Sequence, residues 1–156
     1  MKKQSNLIYF IVTFLFLIFS NYYFSNLIVE KLVEEGDISS TFVNLTLVHN
    51  TGAAFSILQG STKLLIVFSI VALVMILFYV IRNLENISKK AIFSLSMLGA
   101  GVVGNLYERL FLGYVRDFFD LKFFNFPIFN VSDIFISVSV FCIILLILFS
   151  RKPIKF

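Results

Sequence analysis

Residues 130–149, NVSDIFISVSVFCIILLILF, decide the architecture of this chain. One charged residue, Asp133, stands near their start, and none follows through Phe149. An uncharged apolar run of this length reads as a membrane-spanning helix, because the hydrocarbon core takes roughly 20 such residues to cross. Asn130 is of the type that caps a helix, which places Asp133 in the first turn. About sixteen apolar or neutral residues then follow, roughly 24 Å at ~1.5 Å each. Asp133 therefore belongs near one hydrocarbon boundary and not at the bilayer centre.

The rest of the sequence extends that reading. Of the 156 residues, 59% are hydrophobic and only 14% charged, and mean hydropathy is +0.96. A soluble domain of this length could not hide so much apolar surface. Three further spans are expected at about residues 7–24, 64–81 and 91–112, beside the one at 131–149. The whole chain, residues 1–156, is expected to form a single integral membrane domain. Lys2 and Lys3 before the first run imitate a secretory leader. The bulky Asn21-Tyr22-Tyr23-Phe24 that ends it offers no small-residue cleavage site, so it is expected to be a retained helix.

Orientation follows from lysine and arginine. Lys2, Lys3, Arg82, Lys89, Lys90, Arg151, Lys152 and Lys155 all fall on one side of a four-span arrangement, against Glu85 alone. The segment 27–62 carries Glu30, Glu34, Glu35 and Asp37 against Lys31. Both termini are therefore expected on the cytoplasmic side and both long loops outside. The net charge of +4 is explained by this topology; no basic stripe for nucleic acid exists.

Residues 41–50 alternate, with Val43, Leu45 and Leu47 opposed to Asn44 and Thr46, the pattern of a half-buried strand. Residues 114–129 hold six phenylalanines, the last at Phe129. Together these loops predict a small extracytoplasmic β-sheet lying on the outer leaflet of a membrane α-helical protein. Cys142, the single cysteine, reads as packing inside the last span, and His49 as a polar loop residue.

Against this background the acids stand out. Asp117 and Asp133 flank the outer end of an apolar helix, where an ionisable group is a functional-site hypothesis by default. Gly101, Asn105 and Arg109 are spaced by four and stack on one helix face, with Glu108 beside them. That face reads either as interhelical packing with an internal ion pair or as a substrate contact. Asn50-Thr51-Gly52-Ala53-Ala54-Phe55-Ser56 reads by itself as a turn leading into a helix. Gly52 offers backbone freedom there, and the alanines allow close approach.

Taken in order, these stretches resemble the lipoprotein signal peptidase family, bacterial signal peptidase II. Residues 50–56 are similar to its N-x-G-A-A-F-S stretch, and Gly104-Asn105-Leu106-Tyr107-Glu108-Arg109 to its G-N-x-x-D-R stretch. Asp117-Phe118 and Phe129-Asn130-Val131-Ser132-Asp133 are similar to its V-x-D-F and F-N-x-x-D stretches. Three departures are visible. Asn21 and Ser25 stand nearest to where the family usually has an aspartate and a lysine at the end of span one. Glu108 replaces an aspartate, and Arg116 stands where an apolar residue is common.

The resemblance implies an aspartic endopeptidase that cleaves the signal peptide of prolipoproteins just before the lipid-modified cysteine. Asp117 and Asp133 are its implied catalytic pair. Asn50, Gly52, Ala53, Phe55, Gly101, Asn105, Glu108, Arg109 and Asn130 are implied to bind substrate or support the site. Two neighbouring carboxyls cannot easily both ionise, so they share a proton; the ionised member activates water and the protonated member polarises the scissile carbonyl. Either aspartate can hold that proton. No metal or other cofactor is expected. The implied partners are diacylglyceryl-modified prolipoproteins and membrane lipids, with the chain acting as a monomer in the bacterial cytoplasmic (inner) membrane and its site near the outer face. The alternative is a non-catalytic or proton-relay protein on the same four-helix frame. A relay needs acids deeper in the spans, and spans one and two contain none.

Overall fold

The computed structural model describes residues 1–53, 57–123 and 126–149. Its elements run α1 (Lys2–Glu35), β1 (Val43–Asn50), α2 (Thr62–Asn83), α3 (Lys89–Phe111), β2 (Val115–Leu121) and α4 (Val131–Phe149). Three of the four helices, α1, α2 and α4, are long and apolar enough to cross a membrane.

Helix α3 is the polar exception because it is the central one. It packs against α1, α2 and α4 alike, and apart from Ile92 its buried residues are small or polar: Ser94, Ser96, Gly99, Ala100, Gly101, Asn105, Glu108 and Arg109. Lipid gives apolar helices no reason to associate, so close backbone approach and polar contacts must hold them. A Cβ at Gly99 would lie 2.8 Å from the Phe14 ring of α1, and one at Gly101 2.6 Å from the Ser132 carbonyl of α4. At Gly104 a Cβ would land on Asn21 Nδ2 and Ser132 Oγ. Asn21 occupies that three-helix junction, donating to Ser132 Oγ at 2.8 Å and to the Ala100 carbonyl at 3.3 Å. Ser25 donates back to Asn21 Oδ1.

Helix α1 continues well past Phe24 to Glu35, so part of the segment read as an outer loop is helical. The reason is an amphipathic extension. Val29 and Leu32 bury against Phe118 and Val131, while Lys31 and Glu35 pair one turn apart on the exposed side. Gly36, at φ 77°, ends the helix, and its N–H donates to the Leu32 carbonyl.

Strands β1 and β2 form a two-stranded antiparallel sheet. Val43, Asn44 and Leu45 pair with Leu121, Asp120 and Phe119; Val48, His49 and Asn50 pair with Asp117, Arg116 and Val115. A bulge between Leu45 and Val48 separates these two registers, with Thr46 and Leu47 facing Phe118 alone. Side chains alternate between the faces of a strand, so the bulge decides which residues share a face. It puts Val48, Asn50, Val115 and Asp117 on one face. In the register of Val43–Leu45 continued without it, Asn50 would lie opposite Tyr114 and away from Asp117.

Candidate active site

Asp117 reaches the site from β2, and Asp133 from the first turn of α4. Backbone bonds bring their elements together: the Phe118 and Phe119 N–H groups both donate to the Phe129 carbonyl, at 3.0 and 2.8 Å, and Phe129 N–H donates to the Phe119 carbonyl. Asn130, the next residue, then caps α4. Its Oδ1 accepts from Asp133 N–H at 3.0 Å, and its own N–H donates to Asp133 Oδ2 at 3.2 Å. This reciprocal pair has the form of a capping box and fixes the Asp133 side chain.

The two carboxylates are joined through amides. Asp117 Oδ1 accepts from Asn130 Nδ2 at 2.7 Å, and Asp117 Oδ2 accepts from Asn50 Nδ2 at 2.8 Å. Asn130 Nδ2 also donates to Asn105 Oδ1 at 3.1 Å, and Asn105 Nδ2 donates to Asp133 Oδ1 at 2.9 Å. The chain Asp117–Asn130–Asn105–Asp133 is therefore continuous. Asp117 is 2% exposed. Burial raises its carboxyl from 3.8 to about 6; the Asn50 hydrogen bond opposes this, and the nearby Asp133 charge adds to the rise.

A cavity of about 690 Å³ opens beside both acids. Its polar wall includes Asn50, Asn105, Arg109, Asp117 and Asp133, and its apolar wall runs from Phe126 to Phe129 and along α4 through Ile134, Ile136 and Val138. Arg109 crosses to the loop after β1, donating from NH2 to the Gly52 carbonyl at 2.8 Å. Its Nε is buried with no partner among the described residues.

Most of the residues singled out in the sequence meet here, but Gly52 and Glu108 behave differently from their first reading. Gly52 is not in the left-handed region. It is needed for space, since a Cβ would lie 2.9 Å from the Ile57 carbonyl; its N–H donates to Asn50 Oδ1 in a tight turn. Ala53 lines the cavity, whereas Phe55 lies outside the described residues. Gly101 supports the site indirectly, as the crossing point of α3 and α4. Glu108 leaves the cavity altogether. Its ion pair is not with Arg109 beside it but with Arg116, at 2.6 Å. Helical spacing of three and four picks out the Asn105–Arg109 face, but no spacing rule links Glu108 to a strand residue.

Residues 8–149 match the family described as signal peptidase (SPase) II. The chain belongs to the signal peptidase II family. The lipoprotein signal peptidase of Enterococcus faecalis is 38% identical over 128 residues, covering 80% of this chain and 77% of that protein. That of Fusobacterium nucleatum is 34% identical over 151 residues, covering 94% and 90%. A solved structure of a bacterial membrane enzyme superposes with a TM-score of 0.76 at 25% identity, covering 94% of each chain. Membership of this family makes the chain a bacterial membrane protease.

Proposed function

We propose that Asp117 and Asp133 are the catalytic pair of an aspartic endopeptidase that removes the signal peptide of diacylglyceryl-modified prolipoproteins. The observation that carries this reading is the amide-bridged link between two carboxyls on the wall of one cavity. A single proton shared by the pair leaves one carboxylate to deprotonate water and one carboxyl to polarise the scissile carbonyl. Asn50 and Asn130 hold the Asp117 oxygens, and Asn105 with the α4 cap holds those of Asp133, so neither acid needs to reorganise during the reaction. Arg109, held to the Gly52 carbonyl, sets a cation on the cavity wall for the substrate backbone or lipid head region.

The substrate's form accounts for the rest of the architecture. A lipid-bearing cysteine keeps its acyl chains in the bilayer and its scissile bond at the surface. In this reading all four helices span, both termini are cytoplasmic, and β1 and β2 rest on the outer leaflet of the cytoplasmic membrane. The apolar wall along α4 receives the acyl chains or the hydrophobic signal segment. The enzyme works as a monomer among membrane lipids. A proton relay fits less well, because Asp117 lies on β2 and Asp133 in the first turn of α4, at one end of the helices, and no acid lines α2.

The test is incubation of the purified protein with a prolipoprotein in its diacylglyceryl-modified and unmodified forms. Mass spectrometry of the products should show cleavage directly before the modified cysteine, with the unmodified form left whole. Intact modified substrate would refute the reading.

A further inference from the structure

Next to Asp117, the side chain of Arg116 points to the opposite face of β2 and is almost entirely consumed by protein contacts. Its Nε and NH2 donate to Glu108 Oε1 at 2.8 and 2.6 Å, and its backbone N–H donates to Glu108 Oε2 at 2.6 Å. NH2 also donates to Asn26 Oδ1 of α1 at 3.0 Å. The two charged side chains are only 18% and 11% exposed. One carboxylate thus grips both the side chain and the backbone of the residue preceding Asp117, and the same guanidinium reaches a second helix. Residues 21–29 of α1 carry no charge, so at this level α1 offers Glu108 no cation and β2 supplies it.

We propose that Arg116 is a positioning residue: clamped by Glu108 of α3 and Asn26 of α1, it sets the height and tilt of β2 and thereby aims Asp117 at the cavity. A two-stranded sheet is marginal in isolation, and β2 makes few contacts with α3 besides this one. Asp117 follows Arg116 directly, so a shift of the Arg116 backbone is passed on at full size. A fork of guanidinium donors fixes direction as well as distance, which a point charge does not. This role rests on the proposed catalytic pair and adds a residue to it that does not line the cavity.

Removing one partner would leave a buried charge unpaired and threaten folding. The informative variant is therefore the double substitution Glu108→Gln with Arg116→Gln, which leaves no such charge. Two readouts are needed: steady-state cleavage of lipid-modified prolipoprotein, and amide hydrogen exchange across β2 and α3. The expected result is a folded protein whose kcat falls by about tenfold to a hundredfold, the scale of a ~1 Å misplacement, with KM nearly unchanged. Exchange should speed up in β2 but not in α3. Wild-type kcat in the double variant would overturn the proposal, and so would unchanged exchange in β2, whatever the rate. If the wild type itself does not cleave, the protease reading fails, and the exchange data alone then decide whether the clamp exists.

Discussion

At the scale of single residues, Asp117 carries the most specific expectation. Its carboxyl is pushed up to about 6, first by burial, and its neighbours act in known directions. Asn50→Ala removes a hydrogen bond to the ionised form and should raise the midpoint further; Asp133→Asn removes a neighbouring negative charge and should lower it. Carbon-13 NMR of labelled aspartate reads both shifts, and movement of either in the other direction would contradict this account. The stability linkage has a definite sign. Folded Asp117 binds its proton more tightly than the unfolded chain, so native stability falls as pH rises from about 3.8 through about 6. Asn21 gives a second expectation. An aspartate there would lose the donor to Ser132 and set a carboxylate near the Ala100 carbonyl, with no cation in residues 21–29 of α1 to compensate. Asn21→Asp should lower thermal stability in detergent while changing kcat only modestly, because the residue does not line the cavity. A variant as stable as wild type would show that the junction is not tightly packed.

Elements were legible where one rule governs them. The apolar runs at 7–24, 64–81 and 131–149 marked α1, α2 and α4, the three helices apolar enough to cross a membrane, and alternation in residues 41–50 marked β1. The pairing of Asn130 with Asp133 was readable as a cap because capping is local. What escaped depends on contacts between elements. The outer extension of α1 exists because Phe118 covers Val29 and Leu32, a partner nearly ninety positions away in the chain, as 118 − 29 shows. The bulge in β1 and the partner of Glu108 were invisible for the same reason, since neither leaves a periodic trace. The bulge nevertheless makes a sharp prediction. Deleting Thr46 leaves Val43–Leu45 and Val48–Asn50 each opposite its present partners, so cleavage should survive within a few-fold. Inserting one residue between Val48 and His49 turns Asn50 to the other face, away from Asp117. Cleavage by that variant should collapse although the chain is altered by one residue in both cases. Equal activity of the two would mean that the register does not matter.

On the scale of the whole molecule, a polar helix at the centre of three apolar ones explains how a chain so poor in charge can build an ionisable site. Helix α3 surrenders lipid compatibility for glycine crossings and amide donors, and α1 and α4 shield it. The sheet then closes one end of the bundle and delivers Asp117 to the acid that α4 presents. The central claim of the proposed function is that peptide hydrolysis depends on both carboxyls acting together. Turnover of lipid-modified prolipoprotein by Asp117→Asn and by Asp133→Asn tests it most directly. Each substitution is nearly isosteric and removes the ability to take or give a proton, while turning one of two accepting oxygens into a donor. Both variants should insert and fold like wild type, and neither should cleave detectably. Near-native turnover by either one would contradict it.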